Sequence, residues 1–140
     1  MTVLVDTNGL LFALVAPERL SLKARQILEG RQNTLLWSTA STWEVVIKAK
    51  MGKLDLGGDV AGILGEQILR LGLRILPVEQ VHTLHVARLP AVEWVDEAGL
   101  LRRHADPFDR LIVAQALVED VPILSSDSAF DRYPVVRIWL

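Results

Sequence analysis

The chain has 140 residues, of which 51% are apolar and 23% charged, a composition that excludes a disordered protein and favours one domain over residues 1–140. Cysteine is absent, which excludes disulfides, thiolate metal sites and a cysteine nucleophile. The formal net charge of −2 argues against nucleic-acid binding by bulk charge alone, although a bound cation would relax that constraint.

The apolar residues are spread along the chain rather than concentrated in one segment. No apolar run approaches the roughly 18 residues that a membrane-spanning helix needs. The first residues also lack the basic segment that precedes the apolar core of a secretory signal. We therefore expect a cytoplasmic protein without a membrane partner. The mean hydropathy of +0.32 is high for a lone monomer and indicates a surface that a partner covers.

Short apolar segments alternate with helical patterns along the chain. Buried strands are predicted at residues 2–6, 34–38, 72–76 and 121–125, with a fifth strand closing one sheet edge at 135–139. Helices are predicted at approximately 8–16, 21–30, 41–52, 59–71, 79–88 and 107–119. This alternation predicts an α/β domain with a mainly parallel central sheet of four to five strands, flanked by helices.

Residues 89–106 follow neither pattern. They contain Pro90, Trp94, Gly99 and a basic run over 102–104, and we expect either a loop or a short extra helix there. By contrast, Trp43 lies at a core-facing position of its predicted helix, so we assign it to packing.

Four acids lie near the predicted carboxyl ends of strands, which is where parallel sheets bind their ligands. Asp6, Glu44 and Asp127 each follow a predicted strand, and Asp109 lies at the start of a mostly apolar helix. Each has a structural alternative: Asp6 and Asp127 as helix caps, and Glu44 as the partner of Ser41 in a capping box and of Lys48 in an ion pair. For Asp109, the structural alternative is that helix N–H groups or Arg110, rather than a metal ion, stabilise the charge of its carboxylate. Their joint placement favours a shared site.

Carboxylate oxygens are the ligands typical of Mg²⁺ or Mn²⁺, and the absence of cysteine argues against zinc. The sequence therefore predicts a divalent-metal site formed by the four acids. The histidines have other interpretations: His82 and His85 suit packing or surface positions, and His104, although near Asp109 in the chain, is not assigned to catalysis.

With these acids identified, the chain resembles the VapC-type toxins of the PIN-domain family over nearly its whole length. The matching segments are V-L-V-D-T-N-G-L-L, S-T-W-E-V-V-I-K-A-K-M-G-K-L, D-P-F-D-R-L-I-V-A-Q-A-L and I-L-S-S-D-S-A-F-D-R-Y. The resemblance implies that the metal-binding and catalytic residues are Asp6, Glu44, Asp109 and Asp127, accompanied by the small polar residues Thr7, Asn8 and Ser125. Relatives usually lack an equivalent of residues 91–103, which form an extra segment here and leave substrate choice open.

The resemblance also implies a function. By this resemblance, the chain is expected to be a metal-dependent endoribonuclease that acts as the toxin of a type II toxin–antitoxin system. It is also expected to be neutralised by a cognate antitoxin and to form a homodimer. The alternative is a non-catalytic PIN-like module that engages RNA or a protein partner, which the presence of all four acids disfavours. A dehalogenase-like phosphatase fits poorly because Asn8 stands where its second aspartate is needed, and a response-regulator receiver fits poorly because the expected late lysine is absent.

Basic residues flank two of the acids and are candidates to hold RNA phosphates. The alternative is that these residues belong to an ordinary solvated face, which is favoured for Lys48. Arg110 is the better candidate because it adjoins Asp109. The residues concerned are Lys48, Arg102, Arg103 and Arg110.

Overall fold

Seven strands and six α-helices make up the computed structural model, which describes residues 1–140. The strands are β1 (Thr2–Val5), β2 (Thr34–Ser38), β3 (Arg74–Leu76), β4 (Val92–Val95), β5 (Leu101–His104), β6 (Ile123–Leu124) and β7 (Arg137–Ile138). The helices are α1 (Thr7–Val15), α2 (Leu22–Glu29), α3 (Thr39–Lys50), α4 (Val60–Leu71), α5 (Gln80–Val86) and α6 (Pro107–Glu119). Two 3₁₀ turns, Pro17–Arg19 and Ser128–Arg132, complete the list.

Five of the strands form one parallel sheet in the order β3-β2-β1-β6-β7. The predicted α/β fold is therefore confirmed, and β7 closes one edge as expected. Each predicted strand and helix of the α/β core is present, with ends that move by no more than two residues. None of the six helices has both the length and the apolar character that crossing a lipid bilayer requires.

The core lies on both faces of this sheet because side chains of a strand alternate between faces. Val3 and Val5 of β1 pack into an apolar cluster with α1, α2 and α4, whereas Leu4 between them packs into a second cluster with α6. All three are fully buried. Strands covered on both faces need the continuous apolar sequence by which they were predicted.

Polar side chains start most of the helices. Ser21, Ser38, Asp59 and Asp106 each accept a hydrogen bond from a backbone N–H in the first turn of the helix that follows. Helix α3 therefore begins two residues earlier than predicted, so Ser41 lies inside it and the predicted capping box of Ser41 with Glu44 is wrong.

The extra segment forms an antiparallel hairpin of β4 and β5, so the expectation of a loop or a short helix is wrong. Asp96 makes the turn, because its Oδ1 accepts hydrogen bonds from the N–H groups of Ala98 and Leu100. Gly99 has φ +80°, a conformation that strongly favours glycine. The guanidinium of Arg132 lies 4.1 Å above the Trp94 ring and joins the hairpin to the rest of the domain.

A second correction concerns Trp43 on α3. Its side chain is 58% exposed rather than packed in the core. Helix α3 places Glu44 and Val45 inward, and Trp43 then falls on the outer face.

Candidate metal centre

Asp6 lies at the point where β1 ends and α1 begins. Its carboxylate is almost wholly buried, with 3% of the residue exposed. Oδ1 accepts a hydrogen bond of 2.8 Å from the N–H of Thr7, so the predicted capping role is also present. Oδ2 accepts one of 2.8 Å from the hydroxyl of Ser125, directly after β6. The first residue of α1 and the residue after β6 thus each donate to one oxygen of this carboxylate.

Glu44 reaches the same edge of the sheet from α3, and it is also buried. Its Oε1 accepts a hydrogen bond of 2.7 Å from the Thr7 hydroxyl. Its Oε2 lies 2.6 Å from Nζ of Lys48, which confirms the predicted ion pair one helical turn away. Thr7 therefore contacts two of the predicted acids, through its backbone N–H and its side chain.

Asp109 lies in the first turn of α6, as predicted. Its N–H donates to Oδ1 of the capping residue Asp106 at 2.9 Å, which fixes the start of the helix. Its Oδ2 lies 3.1 Å from Nε2 of His104, the last residue of the hairpin. Arg110 is directed elsewhere, with Nη1 donating to the carbonyl of Pro90 at 3.1 Å.

Asp127 follows β6 and starts the 3₁₀ turn, where its Oδ1 accepts a hydrogen bond of 2.9 Å from the N–H of Ala129. The ligand atoms of His104, Asp109 and Asp127 all lie within 4.8 Å of one another. Asp127 therefore combines the capping role with a position beside Asp109. The geometry alone leaves a role in metal binding open to all three side chains.

Burial dominates the electrostatics of Asp6. It raises the pKa of this carboxyl to about 7, the charges of Asp109 and Glu44 add to the effect, and hydrogen bonds from Ser125 and Thr7 oppose it. A carboxylate that is nearly half protonated at neutral pH has too little positive charge around it.

Asp109 is in the same condition. Burial raises its pKa to about 7, with further contributions from the charges of Asp106, Glu44 and Asp127, while Lys48 opposes the shift. A divalent cation would supply the missing positive charge to both carboxylates, and an all-oxygen acidic set suits Mg²⁺ or Mn²⁺. The donor set therefore fits the metal that the sequence predicts.

Lys48 brings a positive charge to these acids through its ion pair with Glu44. Partial burial disfavours its charged form, but the hydrogen bond and charge of Glu44, with the charges of Asp106 and Asp109, raise its pKa overall. Its ammonium partly offsets the carboxylate charge.

The other side chains predicted to bind RNA or support the site differ in their surroundings. Asn8 is exposed. Arg102 is paired with Asp96 and Arg103 with Glu93, both within the hairpin at 2.6 Å.

Three contributors were not predicted from the sequence. His104 contacts Asp109, and the hydroxyl of the buried Tyr133 lies 2.7 Å from Nδ1 of His104. Asp106, whose side chain caps α6, also adds charge near Asp109. The proximity of His104 to Asp109 in the chain was a usable signal, whereas Tyr133 follows Asp109 by 24 positions and gave none.

Comparison with known proteins adds independent findings. The PIN domain family model matches residues 3–136. Ribonuclease VapC16 of Mycobacterium tuberculosis is 33% identical over 63 residues, which are 45% of this chain and 45% of that protein. The chain thus matches less than half the length of this curated relative.

Solved structures share the fold. VapBC2 from Rickettsia felis, bound to a DNA fragment from its promoter, superposes with a TM-score of 0.70 and 18% identity, covering 100% of both chains. VapBC-1 from Haemophilus influenzae gives 0.60 and 18%, covering 94% of this chain and 92% of that one. FitAcB from Neisseria gonorrhoeae gives 0.55 and 22%, covering 99% and 96%. At these identities the likeness establishes the fold alone.

Proposed function

Because the chain belongs to the PIN-domain family, which matches residues 3–136, we propose that it is a divalent-metal-dependent endoribonuclease and the toxin of a toxin–antitoxin pair. The observation that carries the proposal is the shared environment of Asp6 and Asp109. Both are largely buried at the carboxyl edge of the sheet, and burial together with neighbouring acids raises the pKa of each to about 7. Such an arrangement is costly for the fold and is typical of a functional site.

Asp6, Glu44, Asp109 and Asp127 are the residues that would hold Mg²⁺ or Mn²⁺. When bound, the ion would neutralise phosphate charge and make the attacking water more acidic. Thr7 and Ser125 donate hydrogen bonds that keep two of the carboxylates turned toward the site.

RNA is the proposed substrate, with products that carry a 5′-phosphate and a 3′-hydroxyl. The partial match to a protein named as a ribonuclease supports this choice. Lys48 lies beside the carboxylates, where its charge also suits a phosphate. Arg110 is less suitable than Lys48 for binding an RNA phosphate, because its guanidinium already donates to Pro90 and Tyr133.

A cognate antitoxin and a second copy of the chain are the proposed protein partners. Solved VapBC complexes with the same fold support the antitoxin. Exposed apolar side chains support a protein-covered surface, which a homodimer would supply; they include Trp43 and Val46 on α3 and Val81 and Leu84 on α5.

The proposal is tested by incubating a mixed RNA pool with purified, antitoxin-free protein in Mn²⁺ or in EDTA. We expect cleavage in Mn²⁺ alone, and its loss in the Asp6→Asn variant. Asp120→Asn is the matched control, because Asp120 caps α6 outside the site with φ +54°, a conformation that Asn also tolerates. Cleavage that persists in EDTA and in Asp6→Asn would contradict the mechanism.

The alternative of a non-catalytic module is separated by metal binding. A module without a metal site would show no Mn²⁺-dependent rise in thermal stability, whereas the nuclease would show one that Asp6→Asn weakens. Absence of both cleavage and stabilisation in the wild-type protein would favour the module.

A further inference from the structure

A chain of hydrogen bonds leads from α6 through the C-terminal part of the chain to the hairpin and back to Asp109. Arg110 Nη1 donates to the hydroxyl oxygen of Tyr133 at 3.0 Å. That hydroxyl lies 2.7 Å from Nδ1 of His104, and Nε2 of His104 lies 3.1 Å from Oδ2 of Asp109. The side chain of His104 is only 10% exposed, so water competes little for these bonds.

The direction of each bond follows from what its groups can do. A guanidinium only donates, so the oxygen of Tyr133 must accept from Arg110. The phenol has one proton of its own, and Nδ1 of His104 at 2.7 Å is a much better acceptor position than the carbonyl of His104 at 3.5 Å. Nδ1 then carries no proton, and the proton of the neutral ring lies on Nε2, facing Asp109.

This direction decides between two roles for His104. Its position beside Asp109 and Asp127 is compatible with a nitrogen ligand to a metal. A ligand nitrogen must present a lone pair, however, and the nitrogen on the carboxylate side is the one that bears the proton. The ring is therefore arranged to donate to a ligand rather than to act as one.

We propose that His104 is a positioning residue: its Nε2–H holds the carboxylate of Asp109 in the metal-binding orientation, and Tyr133 with Arg110 sets the tautomer that makes this possible. The positioning role rests on the proposed function, because it presupposes a bound metal ion. The tautomer of His104 follows from the hydrogen bonds and does not depend on that function. It also assigns a purpose to the hairpin, whose second strand ends at His104. Hydrogen-bond partners of metal ligands commonly fix their orientation and tune affinity.

The tautomer is tested first, on the metal-free protein labelled with ¹⁵N-histidine, at a pH where the rings are neutral. Long-range ¹H–¹⁵N correlation spectra distinguish protonated from bare ring nitrogens. We expect the Nε2–H form for His104. His82 is an internal control, because its Nδ1 accepts from the N–H of Glu79 and it must show the same form. The signals are assigned with His85→Gln and Tyr133→Phe, and in the latter we expect the preference of His104 to weaken.

Metal affinity is tested next, by calorimetric titration with Mn²⁺. In His104→Gln the amide extends to about the position of Nε2 and still donates to Asp109, so affinity should stay close to that of the wild type. In His104→Asn the amide reaches only the Tyr133 side, and affinity should fall about 10- to 100-fold. Rescue by Gln but not by Asn is a result that a purely structural role would not produce.

Pulsed electron paramagnetic resonance of the Mn²⁺-loaded, ¹⁵N-histidine protein shows whether a histidine nitrogen is bonded directly to the metal. A directly bonded nitrogen that disappears in His104→Gln would overturn the proposal, and so would an Nδ1–H tautomer in the metal-free protein. A wild-type protein that binds no Mn²⁺ would contradict the proposed function instead, and the tautomer measurement would still decide the assignment of the hydrogen-bond chain.

Discussion

Thr7 donates its hydroxyl to Oε1 of Glu44 at 2.7 Å, a bond that joins the first helix to the third across 37 positions of sequence. The same residue donates its backbone N–H to Asp6. One threonine thus links two acids, one directly after β1 and one within α3. Its side chain contributes through a single atom, which makes the contribution separable by substitution.

Replacing Thr7 with valine removes this hydroxyl at nearly constant shape. Buried Glu44 then loses a donor, and we expect the free energy of unfolding to fall by about 1–3 kcal/mol. Mn²⁺ affinity should fall about tenfold or more, as it does when partners of metal ligands are lost. Calorimetry and thermal unfolding measure both effects. Thr7→Ser keeps the hydroxyl and serves as the control; equal losses in both variants would show that the methyl group, not the hydrogen bond, matters.

The metal-free protein should lose stability as pH rises through neutrality. Asp6 has a pKa raised from 3.8 to about 7, so the folded state favours its protonated form. That contribution is fully present below pH about 4 and is lost as pH rises through about 7. At about 1.4 kcal/mol per pKa unit, ionising Asp6 costs the metal-free fold about 4 kcal/mol.

The measurement is thermal unfolding in EDTA between pH 5 and pH 8, and we expect the midpoint to fall over this range. Asp6→Asn removes one of the titrating groups and should flatten the dependence. A midpoint that stays level or rises with pH in the wild-type protein would contradict the assigned environment of the two carboxylates.

Mn²⁺ should reverse this loss. The ligands must be deprotonated to bind, so the metal-dependent gain should be larger at pH 8 than at pH 5. At a metal concentration of 100 times Kd, the expected gain is about 2.7 kcal/mol, or a rise of about 5–10 °C in the unfolding midpoint. NaCl at matched ionic strength controls for a general effect of salt. A gain that is independent of pH would indicate binding away from the carboxylates.

The hairpin arginines offer a test of RNA contact. Arg102 and Arg103 have side chains that are 56% and 68% exposed, and surface ion pairs such as theirs contribute only about 0–1 kcal/mol to stability. Replacing both with alanine should therefore leave the unfolding midpoint nearly unchanged. If they hold phosphates, KM for RNA should rise several-fold. For single-stranded RNA, the slope of log K for binding against log salt concentration should become shallower by about 0.7 for each lost phosphate contact.

The matched control replaces Arg31 and Arg70, which are also exposed but lie before β2 and β3, at the opposite edge of the sheet. Equal effects of the two pairs would mean that net charge alone is responsible. An unchanged KM in the hairpin variant would identify its two ion pairs as ordinary surface contacts.

The α/β core could be predicted because its strands are buried on both faces and its helices have regular apolar periods. The convergence of Asp6 and Ser125 followed from the same rule, since adjacent parallel strands end at one edge. The hairpin was missed although Val92 and Trp94 alternate with polar residues and Asp96 with Gly99 forms a turn signal. Its strands are only four residues long, and the basic run obscured the pattern.

Long-range side-chain contacts account for the rest. Tyr133 approaches His104 only because the 3₁₀ turn after β6 returns the chain to the hairpin, and no local spacing encodes that return. Trp43 was assigned inward because its helical spacing is that of a core-facing position. The helix instead turns Glu44 inward, where Thr7 and Lys48 compensate its charge.

The position of β6 beside β1 has a consequence for the timing of synthesis. Leu4 lies opposite Ile123 in the sheet, so the first strand receives this neighbour only after the ribosome has passed position 123. A nascent chain that lacks β6 has Asp6 and Glu44 but neither Ser125 to hold Asp6 nor Asp127 beside Asp109. Under the proposed function, the ribosome producing this protein is not exposed to a finished nuclease during elongation. On the same proposal, RNA cleavage would begin only once β6 and β7 have docked, and an antitoxin would have the interval of folding in which to bind.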